Sequence, residues 1–276
     1  MFNGSSGQNA SLPAPPLPRA GARWGLLLDV DGTLLDFSHD PQLVVATSKL
    51  TGLLHGLHAA LGGAMALVSG RALDDIDRIF GRTHWAAAGL HGMELRYANG
   101  SFRRGHISAA SRARMREKAG ELATRFAGVE LEDKRHAVAL HCRADPDQLA
   151  ALRVAAEALL PQLTDYELQP GRQVLEFRPA GMDKGEAVRR LLGQPPFLGC
   201  TPVYLGDDLT DEHAFEQINR AHGISVRVGS REPTLAHFTL PGPASAQTWL
   251  QRVLEAMSQG DPPDVGLPRE IPPSQS

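Results

Sequence analysis

Cysteine is scarce in this 276-residue chain, with only Cys142 and Cys200. They lie far apart and outside any CxxC or metal-type spacing, which argues against a disulfide framework or a structural zinc site and suits a reducing cytoplasm. No run approaches the roughly 18 apolar residues that span a bilayer, and the N-terminus has no basic segment followed by an apolar stretch. Membrane insertion and secretion are therefore not indicated. Basic excess is missing too: 28 Lys and Arg stand against 31 Asp and Glu, a formal charge of -3. Nothing in that balance would hold a nucleic acid or another polyanion. There are no internal repeats.

What is present is an ordinary apolar content of 42%, enough for a sizeable core in one large or two modest domains. Residues 1–21 are rich in Gly, Ser, Ala and Pro, and residues 259–276 carry Pro262, Pro263, Pro268, Pro272 and Pro273. Both stretches read as disordered tails, because such compositions bury too little apolar surface to offset ordering. Between them, Gly25-Leu26-Leu27-Leu28, Ala64 to Val68, Val203-Tyr204-Leu205 and Ile224 to Val228 read as fully buried parallel strands. Helical periodicity falls at Leu43 to Leu61, Leu73 to Phe80, Lys184 to Leu192, Glu212 to Ile218 and Trp249 to Met257. That alternation predicts a doubly wound, Rossmann-like α/β core.

The middle third differs. A helix at Ser108 to Phe126, strands at Val129 to Leu131 and Ala137 to His141, a helix at Asp147 to Leu160, and strands at Tyr166 to Gln169 and Gln173 to Phe177 give an αββαββ order. This predicts a smaller α+β domain with one open sheet face, inserted into the core rather than following it. The expected division is a core of 22–100 and 183–258 with an inserted domain of 101–182. The chain would cross between them near Ala98 to Gly105 and Arg178 to Asp183.

Four signals sit at strand ends or helix starts. The first strand runs into Asp29-Val30-Asp31-Gly32-Thr33, placing two carboxylates where open α/β sheets bind ligands. Taken alone, this segment could equally be a turn with an Asx cap. The second strand ends in Ser69-Gly70-Arg71, a hydroxyl and backbone N–H groups suited to phosphate oxygens, although Ser69 by itself reads as a helix N-cap. Lys184 opens a helix, where a cation is unfavourable against the dipole unless an anion is near. The strand at Val203 to Leu205 delivers Gly206-Asp207-Asp208-Leu209-Thr210-Asp211-Glu212. Helix capping accounts for Thr210, Asp211 and Glu212 but leaves Asp207 and Asp208 unexplained. Carboxylates about 4 Å apart repel by roughly 4 kcal/mol at an effective dielectric of 20. Asp29, Asp31 and Asp207 on one rim therefore call for a cation, and hard oxygen ligands indicate Mg²⁺.

In this order, DxDGT, SGR, KG and GDDxTDE resemble the haloacid dehalogenase superfamily. With Asp29 to Leu35, Ala88-Gly89-Leu90-His91-Gly92-Met93-Glu94 and Gly206 to Glu212 added, the chain resembles the trehalose-6-phosphate phosphatases over Trp24 to Leu254. The resemblance implies an aspartyl-phosphate on Asp29 and an acid–base role for Asp31. It also implies Asp29, the Asp31 carbonyl and Asp207 as metal ligands, with Asp208 and Asp211 behind them. Lys184, Ser69 and Gly70 would hold phosphate. In the inserted cap, Glu132 and Lys134 match an acid-x-lysine pair that binds sugar, and Glu176 matches its partner. Arg143 and Glu94 are looser candidates that could equally serve the domain interface. The implied substrate is a phosphorylated disaccharide, handled by a monomer or weak dimer. A phosphatase of sucrose or mannosylglycerate phosphates, a phosphomutase and a non-catalytic sugar-phosphate sensor remain alternatives. Asp36-Phe37-Ser38-His39-Asp40-Pro41 departs from the family pattern, and His39 reads as a surface residue.

Overall fold

A computed structural model describes residues 12–37, 43–134, 136–142, 146–171 and 173–258. His39 and Arg143 lie outside them, as do residues 259–276.

The core begins with β1 (Trp24–Leu28), α1 (Ser48–Ala60), β2 (Met65–Val68), α2 (Leu73–Phe80) and β3 (Ala86–Gly89). Two short strands, β4 (Glu94–Arg96) and β5 (Phe102–Arg104), follow. The inserted unit is α3 (Ala109–Arg125), β6 (Val129–Asp133), β7 (Val138–Cys142), α4 (Pro146–Glu157), β8 (Tyr166–Pro170) and β9 (Val174–Pro179). The chain then returns through α5 (Lys184–Leu192), β10 (Thr201–Gly206), α6 (Glu212–Arg220), β11 (Ile224–Val228), β12 (Phe238–Leu240) and α7 (Pro243–Ser258).

These strands form an eight-stranded sheet of order β12-β11-β10-β1-β2-β3-β4-β5 and a four-stranded sheet of order β6-β7-β9-β8. Pairing is parallel from β12 to β3 and antiparallel for β4 and β5. The expected doubly wound core and αββαββ insert are therefore both present. The β4–β5 hairpin was not anticipated, because its short strands carry Arg96, Arg103 and Arg104 and show no apolar run. It keeps the chain on the core sheet through Arg104.

Alternation along β1 explains the two-sided core. Leu26 and Leu28 join a cluster with Leu54 of α1, Ile76 of α2 and Trp249 of α7, whereas Leu27 points to the opposite face among Val188 of α5 and Phe215 of α6. All three leucines are fully buried, each stabilising the fold by about 1.5–3 kcal/mol. Register then gathers the chemistry. Leu28 pairs with Leu205 on one side and Leu67 on the other, so the residues after β1, β2 and β10 emerge together at one sheet edge.

Helix starts shift for physical reasons. α1 begins at Ser48 rather than Leu43, because the Thr47 side chain accepts the Leu50 N–H at 3.3 Å and ends the extended segment there. α7 begins at Pro243, six residues before Trp249, with proline favoured in a first helical turn. Residues 12–21 do not trail away as a tail. The Pro13 carbonyl accepts from Thr239 N–H, the Pro15 carbonyl accepts from Trp249 Nε1–H, and Leu17 packs on the core. Those proline carbonyls find buried donors that composition alone does not reveal.

In the insert, Val138, Leu140, Leu175 and Phe177 pack under α3 and α4. The alternate positions, Glu176 and Arg178 among them, face the other way and line the cleft between insert and core.

Candidate active site

Asp29 follows β1 with its backbone N–H bonded to the Leu205 carbonyl at 3.0 Å, and its side chain is buried. Gly32, at φ +79°, makes the turn beyond it; a Cβ there would fall inside the Asp207 carboxylate. Only glycine brings the two loops this close. Thr33 Oγ1 donates to Asp207 Oδ1 at 3.1 Å, tying the loops together.

Lys184 lies at the centre. It is buried, and its Nζ donates to Asp29 Oδ1 at 2.8 Å and to Asp211 Oδ1 at 2.7 Å, with Asp208 Oδ1 at 3.7 Å. A lysine in the first turn of α5 is thus compensated by carboxylates across the sheet edge. Asp183, the N-cap, satisfies the Glu186 N–H at 2.8 Å. Burial works against the Lys184 charge, but Asp211 and Asp29 more than offset it and hold the ammonium well above the ordinary lysine range.

Asp211 is an anchor. Its carboxylate accepts from Lys184, from Tyr204 OH at 2.6 Å, and from the N–H groups of Asp207 and Asp208 at 3.0 Å each. All four partners are donors, so the arrangement accommodates the carboxylate, although burial pushes this group upward. Asp208 caps the turn before α6, accepting from Thr210 N–H, Thr210 Oγ1 and Asp211 N–H. Burial opposes its charge, yet Lys184 and these donors hold it far below the usual carboxylate range. Asp208, not Thr210, is the cap, and Glu212 instead accepts the Leu235 N–H at 2.7 Å.

Asp29, Asp207 and Asp211 bring oxygens within 4.8 Å of one another. With Asp211 saturated by donors, the oxygens left for a cation belong to Asp29 and Asp207. Burial pushes Asp29 up to about 7, Asp207 and Asp208 adding to the push against Lys184. Burial likewise pushes Asp207 up to about 6, reinforced by Asp211 and Asp208. Among the described residues, the carboxylates of Asp29, Asp207, Asp208 and Asp211 gather here, and the Lys184 ammonium pairs with three of them, Asp29, Asp208 and Asp211. A divalent cation bound by oxygen fits that imbalance.

The Asp31 side chain turns away from this group. Both its oxygens accept from Arg71, Nε at 2.7 Å and Nη2 at 2.6 Å. Ser69 is buried after β2, and its Oγ accepts the Arg71 N–H at 3.2 Å. It is not the cap of α2, which starts at Leu73. That end is satisfied from a distance: Glu94 Oε2 accepts the Leu73 N–H at 3.0 Å and Oε1 pairs with Arg104 at 2.6 Å. Glu94 is accordingly committed to the fold.

A cleft of about 480 Å³ joins the two domains, within the range of small-molecule sites. The core contributes Asp29, Asp31, Ser69, Gly70, Lys184 and Asp208; the cap contributes Lys134, Glu176 and Arg178. Lys134 Nζ pairs with Glu176 Oε2 at 3.1 Å. Glu132 shares their sheet face through the register Glu132–Ala139–Glu176, but it pairs with His141 at 2.9 Å and is not in the cleft wall. Sequence reasoning missed Tyr204, an unremarkable member of an apolar strand. It also missed the Arg71–Asp31 pair and His91 in the cleft wall, although both lie inside motifs already singled out.

Comparison with known proteins bears on this geometry. The family model described as trehalose-phosphatase matches residues 27–244. A probable trehalose-phosphate phosphatase of Sinorhizobium fredii is 42% identical over 211 residues, 76% of this chain and 79% of that one. The trehalose-6-phosphate phosphatase of Escherichia coli is 35% identical over 247 residues, covering 90% of this chain and 92% of its own. Among solved structures, the trehalose-6-phosphate phosphatase of Aspergillus fumigatus superposes with a TM-score of 0.69 at 26% identity, over 85% of this chain and 94% of that one.

Proposed function

The chain belongs to the trehalose-phosphatase family, and we propose that it hydrolyses trehalose 6-phosphate to trehalose and inorganic phosphate, with Asp29 as nucleophile and Mg²⁺ as its cation. One observation carries the reading. A buried aspartate, held 2.8 Å from a buried lysine, opens onto a cleft whose opposite wall is the polar sheet face of the cap.

The protein's own groups divide the work. Ser69, the Gly70 amide and Lys184 receive the phosphoryl oxygens, so an anionic nucleophile approaches an anionic ester without prohibitive repulsion. Asp29 attacks phosphorus; its carboxylate oxygen forms the new P–O bond while the bond to the sugar oxygen breaks. Asp31 gives a proton to that departing oxygen and then takes one from the water that attacks the aspartyl-phosphate, releasing phosphate and restoring Asp29. Asp29, Asp207 and the Asp31 carbonyl would hold the cation. When bound, it neutralises charge on the phosphoryl oxygens and between the two carboxylates. Lys134 and Glu176 offer a donor and an acceptor to sugar hydroxyls, with Glu132 on the same sheet face. Closure of that cap over the sugar would exclude bulk water.

Among the described residues no helix is long and apolar enough to cross a membrane, and Cys142 and Cys200 are free thiols. We further propose a cytoplasmic enzyme working as a monomer or weak dimer on a small molecule.

Phosphate release from trehalose 6-phosphate, with and without Mg²⁺, tests the proposal against glucose 6-phosphate and sucrose 6-phosphate. Release should require the cation and favour the trehalose ester. Equal rates on all three esters would remove the assigned substrate, and no release from any would remove the activity.

A further inference from the structure

We propose that His91 is a substrate-binding residue of this site, donating a hydrogen bond from Nε2 to the phosphoryl group held at Ser69 and Gly70. The inference rests on the phosphatase reading and adds a contact to it.

The backbone is the first argument. Leu90 and His91 both adopt left-handed conformations, φ +49° and +54°, and Gly92 follows at +101°. Side-chain-bearing residues rarely occupy this region, and such strain gathers at functional sites. The turn is pinned to the phosphate loop: the Leu90 N–H donates to the Arg71 carbonyl at 2.8 Å and the His91 N–H to the Ser69 carbonyl at 3.1 Å. On its other side Gly92 sits against the start of α5, where a Cβ would fall 2.9 Å from the Asp183 carbonyl oxygen. Ser69, His91 and Lys184 are thereby locked into one frame.

The ring is the second argument. A Cβ built on Gly70 would lie 2.8 Å from both Cε1 and Nε2 of His91. The imidazole edge therefore rests on the glycine whose amide serves the phosphate, and a larger residue at position 70 would have to displace the ring. His91 lines the cleft together with Lys184 and Asp208. Among the described residues, nothing hydrogen-bonds its buried Nδ1. A buried N–H without an acceptor is rarer than a buried lone pair without a donor, so the proton belongs on Nε2, the nitrogen over Gly70. Burial and the nearby Lys184 push this histidine down to about 4, which keeps the ring a neutral donor. It adds direction to the phosphate cradle without adding charge.

The test compares His91→Leu with His91→Gln, whose amide N–H reaches the Nε2 position. Asn, which tolerates left-handed backbone, replaces Leu should the Leu variant unfold; its amide is too short to reach the phosphate. Calorimetric binding of inorganic phosphate in the presence of Mg²⁺ is read alongside KM for trehalose 6-phosphate and p-nitrophenyl phosphate. Loss of one hydrogen bond to a charged oxygen should weaken phosphate binding about tenfold or more and raise KM for both esters alike. The Gln variant should recover most of that loss at a similar melting temperature. Unchanged phosphate affinity in the Leu variant, an effect confined to the trehalose ester, or no recovery in the Gln variant would each overturn the assignment. A wild-type protein that binds phosphate through His91 but releases none from any ester would instead overturn the phosphatase reading and leave this contact standing.

Discussion

Arg71 grips Asp31 by both carboxylate oxygens, Nε to Oδ2 at 2.7 Å and Nη2 to Oδ1 at 2.6 Å. A bidentate guanidinium fixes the carboxylate plane as a single charge could not. In the proposed mechanism Arg71 is a positioning residue, acting through Asp31 by setting how that carboxylate faces the cleft both residues line.

The first prediction is a double-mutant cycle on that pair. Asp31→Asn should lower kcat by about 10²–10⁴ with little change in trehalose 6-phosphate binding, because proton transfer alone is lost. Arg71→Ala should cost less, about tenfold. The double variant should be no slower than Asp31→Asn by itself. Additive losses would mean that Arg71 acts independently of Asp31.

The second concerns pH and metal. Asp29 and Asp207 are raised from the ordinary 3.8 to about 7 and about 6. Without a cation the folded protein therefore binds more protons than the unfolded chain between about pH 4 and 7. By linkage, these two groups make it less stable as pH rises through that window. His91, lowered to about 4, works in the opposite direction over part of the window. The increment from Mg²⁺ isolates the carboxylates, since a cation competes with their protons. Mg²⁺ should raise the melting temperature more at pH 8 than at pH 5, and Asp207→Asn should flatten the difference. An increment independent of pH in the wild-type protein would contradict the assignment of these ligands.

Much of this is legible in the sequence. Buried strands such as Leu26-Leu27-Leu28 announce themselves, and parallel register then forces Asp29, Ser69 and Asp207 to one edge whatever the loops do. Illegible features were those set by partners distant in sequence. Asp211 does close the capping box before α6, as a capping acid would, but it is also the buried counter-ion of a lysine 27 positions away. Glu94 looks like a site residue, yet it closes the end of α2. Glu132 has the right spacing for the sugar cleft, but its sheet neighbour His141 takes the carboxylate. Spacing reports which face a residue occupies; the competing partner on that face is a tertiary fact.

The third prediction separates anchor from ligand. Asp211→Asn replaces one accepting oxygen by a donor, so either Lys184 and Tyr204 or the two backbone N–H groups meet an NH₂. Breaking a buried ion pair in this way costs about 3–5 kcal/mol, against about 1 kcal/mol for the Tyr204→Phe hydroxyl. Denaturant unfolding in the absence of any cation should show that ranking. A cation-free Asp211→Asn protein as stable as wild type would make Asp211 a metal ligand rather than a fold anchor.

The fourth concerns how the cap reads its sugar. Lys134 and Glu176 pair at 3.1 Å across the open sheet face, Glu176 being the less exposed of the two. A disaccharide entering the cleft would exchange that pair for hydroxyls, the ammonium donating and the carboxylate accepting, so each residue needs the other in place before substrate arrives. Glu176→Ala should raise KM for trehalose 6-phosphate about tenfold and leave p-nitrophenyl phosphate within about twofold, because the aryl ester offers no sugar to recognise. Lys134→Ala should behave alike, and the double variant should lose little more than either single one, since each truncation already dissolves the pair. Equal losses on both esters would move Glu176 from sugar recognition to the architecture of the cleft, whereas a preserved KM for the disaccharide ester would place the sugar elsewhere on the cap.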